Sequence, residues 1–181
     1  MKGFCREDLW FSLCGLNCGL CTMRLGGYCP GCGGGEGNQS CAIARCSLDH
    51  GGVPYCYRCG DYPCARYERE DAYDSFITHR NRRADLERHR LLGADAYRAE
   101  QMERAALLRY LLDTCNSGRQ KTLFAQAANL LALSELRQIR ARLEEREGLA
   151  VRERAALAST LVREAAERDG IPLDLRRKPK K

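Results

Sequence analysis

The feature of the sequence most able to do chemistry is the concentration of cysteine near its start. The stretch CGLNCGLC places three thiols at the spacing Cys-x3-Cys-x2-Cys. Ten of the twelve cysteines lie between positions 14 and 64. These ten are Cys14, Cys18, Cys21, Cys29, Cys32, Cys41, Cys46, Cys56, Cys59 and Cys64. Thiolates are ligands for zinc and for iron–sulfur clusters, so the sequence predicts a metal-binding protein.

Disulfides are the other ordinary explanation for so many cysteines. The N-terminal stretch MKGFCREDLWFSLCG has no continuous apolar run, so we expect no signal peptide and a cytoplasmic location. No stretch approaches the roughly 18–20 apolar residues of a membrane span, and we expect no membrane partner. Cytoplasmic thiols stay reduced, and clustered reduced thiols usually bind metal. We therefore predict that the cysteines are metal ligands.

Three Cys-x2-Cys pairs indicate the kind of site. They are Cys18/Cys21, Cys29/Cys32 and Cys56/Cys59. Such a turn directs two sulfurs at one ion about 2.3 Å away, and two turns complete a tetrahedron. The simplest arrangement joins the first two pairs in one site and the third pair with Cys41 and Cys46 in another, leaving Cys14 and Cys64. Crossed pairings stay open, as does a third site that uses His50 or a shared sulfur. We expect about two zinc ions, or alternatively an iron–sulfur cluster.

The first three cysteines also have the spacing found in radical-generating iron–sulfur enzymes. Those enzymes usually carry an aromatic residue before the last cysteine of the motif, where this chain has Leu20. They also need a partial β/α barrel, whereas this sequence has no alternation of strands and helices after the motif. The ferredoxin run Cys-x2-Cys-x2-Cys-x3-Cys-Pro is absent too. We therefore do not expect radical chemistry.

The elements that must position the cysteines divide the chain by composition. We predict a Cys-rich metal-binding module at 1–65, a helical region at 66–170 and a basic tail at 171–181. Glycine-rich and aperiodic, the module has too little apolar surface to fold without metal. The expected fold is mostly α, with an irregular metal-stabilised N-terminal module packed on a C-terminal helical part. The glycine run 33–37 is interpreted as a flexible loop between ligands.

Apolar residues at helical spacing predict five helices in the second region. The first contains Tyr73, Phe76 and Ile77 and ends at Gly93. Ser134 is predicted to cap the fourth. The remaining helices are indicated by Leu108, Leu111, Leu112 and Cys115, by Leu123, Phe124, Ala127, Leu130 and Leu131, and by Val151, Ala155, Ala158, Leu161, Val162 and Ala165.

A net charge of +6 raises nucleic acid as a partner. The arginines concerned are Arg80, Arg82, Arg83, Arg88 and Arg90, together with the basic tail. That charge counts cysteine as neutral, however, and two zinc sites of four thiolates each would lower it to about +2. Nucleic-acid binding is therefore the weakest of our functional hypotheses.

Four stretches resemble a known family. CGLNCGLC, CPGC, CAIARC and CYRCGDYPC together are similar to the Cys-rich family catalogued as domain of unknown function 3795. The helical stretches LERHRLLGADAYRAEQ and YLLDTCNSGRQKTLFAQAANLL resemble the region that follows the cysteines in longer members. The resemblance implies a metal-binding bacterial or archaeal cytoplasmic protein with no assigned reaction and no catalytic residue to transfer. Cys5 and Cys115 lie outside its pattern.

These observations favour a zinc-binding protein with a structural, adaptor or binding role toward a protein partner. A closed four-cysteine site has no position for a substrate, which favours a role other than catalysis. The alternatives are an iron–sulfur or thiol-based redox protein and, last, a nucleic-acid-binding protein.

Overall fold

The computed structural model describes residues 3–35, 41–69, 72–146 and 148–178. These residues form eight α-helices and no β-strand. The helices are α1 (Thr22–Leu25), α2 (Ala42–Asp49), α3 (Ala65–Arg69), α4 (Arg82–Leu92), α5 (Ala94–Thr114), α6 (Lys121–Leu130), α7 (Leu133–Glu144) and α8 (Val151–Arg168). Two 3-10 turns, Cys18–Leu20 and Cys56–Arg58, lie in the Cys-rich part. The predicted fold class, mostly α with a Cys-rich N-terminal part, is confirmed.

The chain forms two compact units. One comprises Met1–Gln101 with Leu175–Lys181, and the other comprises Met102–Asp174. The composition boundary predicted at residue 65 lies inside the first unit. The Cys-rich part therefore shares its unit with α4 and with the beginning of α5.

The first unit has a core built largely from aromatic residues. Phe11, Tyr55, Tyr67 and Tyr97 are all less than a tenth exposed and belong to one buried cluster with Leu86 of α4. The ring centroids of Phe11 and Tyr97 lie 4.8 Å apart, a distance at which aromatic pairs attract. Residues before position 65 thus contribute part of the hydrophobic core of this unit.

The CGLNCGLC stretch is tied to α4 and α5 by a buried polar network. The side-chain amide of Asn17 donates to Oδ2 of Asp85 at 2.8 Å. The Tyr97 hydroxyl donates to the Asn17 carbonyl oxygen at 2.9 Å, and the Tyr67 hydroxyl donates to the backbone oxygen of Cys14 at 2.8 Å. Buried polar groups that satisfy each other fix one arrangement of the chain. The backbone that carries Cys14 and Cys18 is therefore anchored by hydrogen bonds to residues of α3, α4 and α5.

Gly15 is the closest backbone contact between this stretch and α4. Its φ is +92°, and a Cβ placed on it would stand 2.2 Å from the carbonyl oxygen of Arg82. A side chain at this position would meet both a backbone clash and an unfavourable dihedral.

We expect Gly15→Ala to lower the free energy of unfolding by about 2–4 kcal/mol, since it adds the clash to the dihedral strain. The midpoint of urea unfolding measures this loss. Gly27→Ala is the matched control, because Gly27 has φ +75° but open space around it, and should cost only about 1–2 kcal/mol. Equal losses in the two variants would show that the contact with Arg82 is unimportant.

The second unit is a helical cluster with an alanine-rich core. Helix α8 packs on α6 and α7, and α6 packs on α7. Its buried residues include Leu108, Phe124, Leu143, Ala158 and Val162. Small residues let helices approach closely. The apolar periodicity that predicted helices in this part of the chain is confirmed, and Gly170 ends α8 as expected.

Residues 72–81 are a loop rather than the start of a helix. The Asp74 carboxylate accepts a hydrogen bond from the His79 backbone N–H at 2.8 Å, and Thr78 Oγ1 accepts one from Arg80 N–H at 3.2 Å. Side chains that bond nearby backbone groups compete with helix formation. The helix expected to contain Tyr73 and Phe76 therefore begins only at Arg82, although Gly93 ends it as predicted. Ser134, predicted as a cap, lies inside α7.

Part of the basic tail is bound to this loop. The Asp74 backbone N–H donates to the Arg176 carbonyl oxygen at 2.8 Å, and the Arg176 backbone N–H donates to Oδ2 of the Asp74 carboxylate at 2.8 Å. The Arg176 guanidinium donates to Oδ1 of the same carboxylate at 2.8 Å. These contacts lower the pKa of Asp74 to about 2 against the opposing effect of its burial. Residues 179–181 lie outside the described residues, as do residues 36 and 37 of the glycine run. No helix in the described ranges is long and apolar enough to cross a membrane.

Candidate metal centre

Four cysteines line one small cavity in the first unit. Cys46 lies on α2, Cys56 and Cys59 lie at either end of the second 3-10 turn, and Cys64 immediately precedes α3. The cavity has a volume of about 30 Å³. That is room for an ion or one or two water molecules. We call these four residues the rear cysteines.

Cys59 and Cys64 lie near Cys46, and Cys46 and Cys64 lie near Cys56, close enough to act on the pKa of Cys46 and of Cys56. Burial raises the pKa of Cys46, and the nearby Cys64 and Cys59 thiols raise it further while Arg66 lowers it. Burial likewise raises the pKa of Cys56, with further contributions from Cys14, Cys64 and Cys46. Thiolates crowded together repel, and a bound cation relieves that repulsion.

The cavity is lined by Cys64 and not by Cys41, which differs from the simplest pairing predicted from spacing. Cys41 instead lies near Cys14 and Cys32, since both of these thiols have pKa values raised in part by Cys41. The pKa of Cys14 rises to about 11, mainly through burial. Cys14 and Cys41 thus lie beside the groups that the Cys-x2-Cys turns form.

In the other two Cys-x2-Cys pairs, Cys18 lies near Cys32 and Cys21 lies near Cys29, and Cys14 also lies near both Cys18 and Cys32. We call Cys18, Cys21, Cys29 and Cys32 the front cysteines. Burial chiefly raises the pKa of Cys18, followed by the effect of Cys32, and burial chiefly raises that of Cys21, with a smaller effect of Cys29. The backbone N–H groups of Arg24 and Met23 act to lower the pKa of Cys21, and that of Cys32 acts to lower the pKa of Cys18, against the larger effect of burial. Such donors stabilise thiolates and orient metal ligands.

Trp10 packs against the turn that carries Cys18 and Cys21. Its ring lies against Gly19, between Cys18 and Cys21, where a Cβ would stand 2.1 Å from the indole. Only glycine leaves room for the ring at this position. Trp10 is the single tryptophan of the chain, so its fluorescence reports on this turn.

His50, whose part in metal binding the spacing left open, lines the cavity of the rear cysteines. It is the C-terminal cap of α2. Its Nδ1 lies 2.8 Å from the Cys46 carbonyl oxygen and its Nε2 lies 3.1 Å from Oδ2 of Asp61. The Cys46 carbonyl and then the Asp61 carboxylate raise the pKa of His50. Sequence analysis missed Asp61, although its position two residues after Cys59 was a usable signal.

Among the described residues, only His50, Cys59 and Asp61 place three ligand atoms within 4.8 Å of one another. No three thiols of the front or rear cysteines are that close. The sulfurs around an ion would therefore have to turn inward to complete a tetrahedron, as in sites that form together with metal binding. All twelve cysteines are free thiols. Cys5 is exposed, and Cys115 is buried in the second unit.

The arginines considered for nucleic-acid binding are engaged within the first unit. Arg82 is 2% exposed and donates to the Tyr67 backbone oxygen. Arg88 bonds the Glu100 carboxylate, and Arg90 lies 2.6 Å from Glu87. Guanidinium groups held by carboxylates offer less charge to phosphates.

Comparison of the chain with protein-family models, with curated proteins and with solved structures finds no match.

Proposed function

We propose that this chain is a zinc-binding protein whose metal is held by cysteine thiolates and has a structural role. The observation that carries the proposal is that Cys46, Cys56, Cys59 and Cys64 all line one small cavity. The front cysteines form the second proposed site. The total is then about two zinc ions.

Zinc is preferred to an iron–sulfur cluster because Cys-x2-Cys turns from separate parts of the chain are typical of closed four-cysteine zinc sites. Because thiolates bind either metal, the first experiment must distinguish bound iron from bound zinc.

We also propose that the chain belongs to the Cys-rich family catalogued as domain of unknown function 3795 and that it works in the cytoplasm, where thiols stay reduced. A protein partner is supported by large exposed apolar residues of the first unit. Tyr28 is 76% exposed, Leu91 at the end of α4 is 67% exposed, and Phe76 is 60% exposed. Leu92, next to Leu91, is 51% exposed, and exposed apolar side chains that adjoin are typical of binding surfaces.

The test of the metal proposal is elemental analysis and an absorption spectrum of the full chain purified without oxygen. We expect about two zinc atoms per chain and no visible band, because zinc has a filled d shell. Iron with sulfide and a brown colour would show that the chain holds an iron–sulfur cluster instead of zinc. A chain that carries neither metal and binds neither on addition would overturn the proposal.

A further inference from the structure

The rim of the rear cysteines carries a second constellation of metal ligands. A ring nitrogen of His50, an Asp61 carboxylate oxygen and the Cys59 sulfur all lie within 4.8 Å of one another. Their side chains face solvent, with 39% of His50 and 71% of Asp61 exposed. One imidazole, one carboxylate and one thiolate form a donor set that divalent zinc and cobalt accept.

The orientation of His50 is fixed by the backbone. Its Nδ1 lies 2.8 Å from the Cys46 carbonyl oxygen, the geometry of a ring N–H that donates to a carbonyl. With the Nδ1 proton held there, Nε2 carries the lone pair in the neutral ring. Ligating histidines are usually held in this way, by a carbonyl on the nitrogen opposite the metal. The ring therefore presents Nε2 to the Asp61 carboxylate, 3.1 Å away, in the manner of a ligand.

An ion pair between His50 and Asp61 explains only part of this arrangement. Such a pair needs two groups, and an exposed pair contributes little. The third atom, the Cys59 sulfur, takes no part in an ion pair between His50 and Asp61. A soft divalent ion, however, would bind this sulfur together with the other two groups. Two glycines with positive φ, Gly51 at 77° and Gly52 at 75°, let the chain turn back immediately after His50.

We propose that His50, Asp61 and Cys59 form an exchangeable site for one divalent ion of the zinc class, with Cys59 shared between this ion and the one held by the rear cysteines. Three protein ligands leave a coordination position open, which water fills on an exposed rim. The site thus differs from the closed centre beneath it by holding its ion weakly and by offering a position to an outside ligand. It rests on the proposed function only through the sharing of Cys59.

The test is a titration of the zinc-loaded full chain with Co²⁺, followed by absorption and calorimetry. We expect one additional equivalent to bind, with a sulfur-to-cobalt charge-transfer band in the near ultraviolet from Cys59. His50→Gln and Asp61→Asn should each weaken this equivalent at least about tenfold and leave the tightly held zinc in place. Asp49→Asn is the matched control, since it removes an exposed carboxylate from α2 without removing a ligand and should leave the affinity within about twofold.

The outcomes separate this inference from the proposed function. Tightly held zinc without the additional cobalt equivalent, or an additional equivalent that both variants bind as well as the unchanged chain, overturns the rim site alone. A chain without tightly held metal overturns the structural-zinc proposal, and a cobalt equivalent that still depends on His50 and Asp61 would then support the rim site by itself.

Discussion

Chelation of the bound metal is expected to release residues 21–35 of the first unit, while α6, α7 and α8 keep their protection from hydrogen exchange. Within 21–35 only two glycines, Gly31 and Gly33, are buried, and Cys32 packs against the hydrophobic core while only half-buried. A short segment without buried apolar side chains cannot offset its ordering entropy. The front cysteines are the groups that would supply the missing cross-links.

The measurement is hydrogen exchange with mass spectrometry before and after treatment with a strong zinc chelator. We expect exchange of the backbone amides of residues 21–35 to accelerate at least about a hundredfold, which corresponds to a loss of about 2.7 kcal/mol of local stability. Trp10 fluorescence should change in parallel because its ring lies on Gly19 between two of the ligands. In the second unit the sole cysteine is Cys115, so exchange there should change by less than about threefold.

A variant without added chelator tests the same mechanism. Cys29→Ser removes one front ligand and should produce the same release of 21–35, whereas Cys5→Ser removes an exposed thiol outside both groups and should not. Protection of 21–35 that survives complete removal of the metal would mean that backbone contacts alone order the segment.

The sequence was most informative where a signal is local. Helix α8 could be predicted because its apolar residues repeat at helical spacing and Gly170 follows it. The Cys-x2-Cys pairs were likewise predictable as units, since a tight turn fixes two sulfurs through nearby residues alone. Gly93 ended α4 as expected, because only a residue that tolerates φ of 82° fits there.

Features that depend on distant residues could not be predicted in this way. The path of α2 and of the loop before α3 decides whether Cys41 or Cys64 lies with Cys46, Cys56 and Cys59. Cysteine spacing does not encode that path. The loop at 72–81 has enough apolar residues for a helix, but Asp74 bonds Arg176, 102 residues away. Composition gives the number of charged residues but not whether each is buried or exposed. Arg82 was therefore grouped with surface arginines although it is buried.

Arg82 is expected to matter to the metal more than to the fold. Its side chain is among the largest fully buried ones, and its guanidinium carbon lies 4.1 Å from the centroid of the Tyr67 ring. Its charge lowers the pKa of both Cys14 and Cys56, against the larger opposing effect of burial in each case. A zinc ion with four thiolates has a net charge of about −2, so a buried cation nearby stabilises the loaded centre.

We expect Arg82→Met to weaken zinc binding at the rear cysteines about tenfold or more, as measured by competition with a coloured chelator. Without the guanidinium the Cys56 thiol holds its proton more tightly, so the pH at which half of the protein is loaded should move upward. The same change should affect the metal-free protein much less, because an apolar side chain of similar length replaces a buried charge whose desolvation was costly. Arg82→Lys keeps the charge and should recover part of the zinc affinity, although one ammonium cannot reproduce the stacking on Tyr67. If Arg82→Met destabilised the loaded and metal-free forms equally, the role of Arg82 would be packing against Tyr67 and not compensation of thiolate charge.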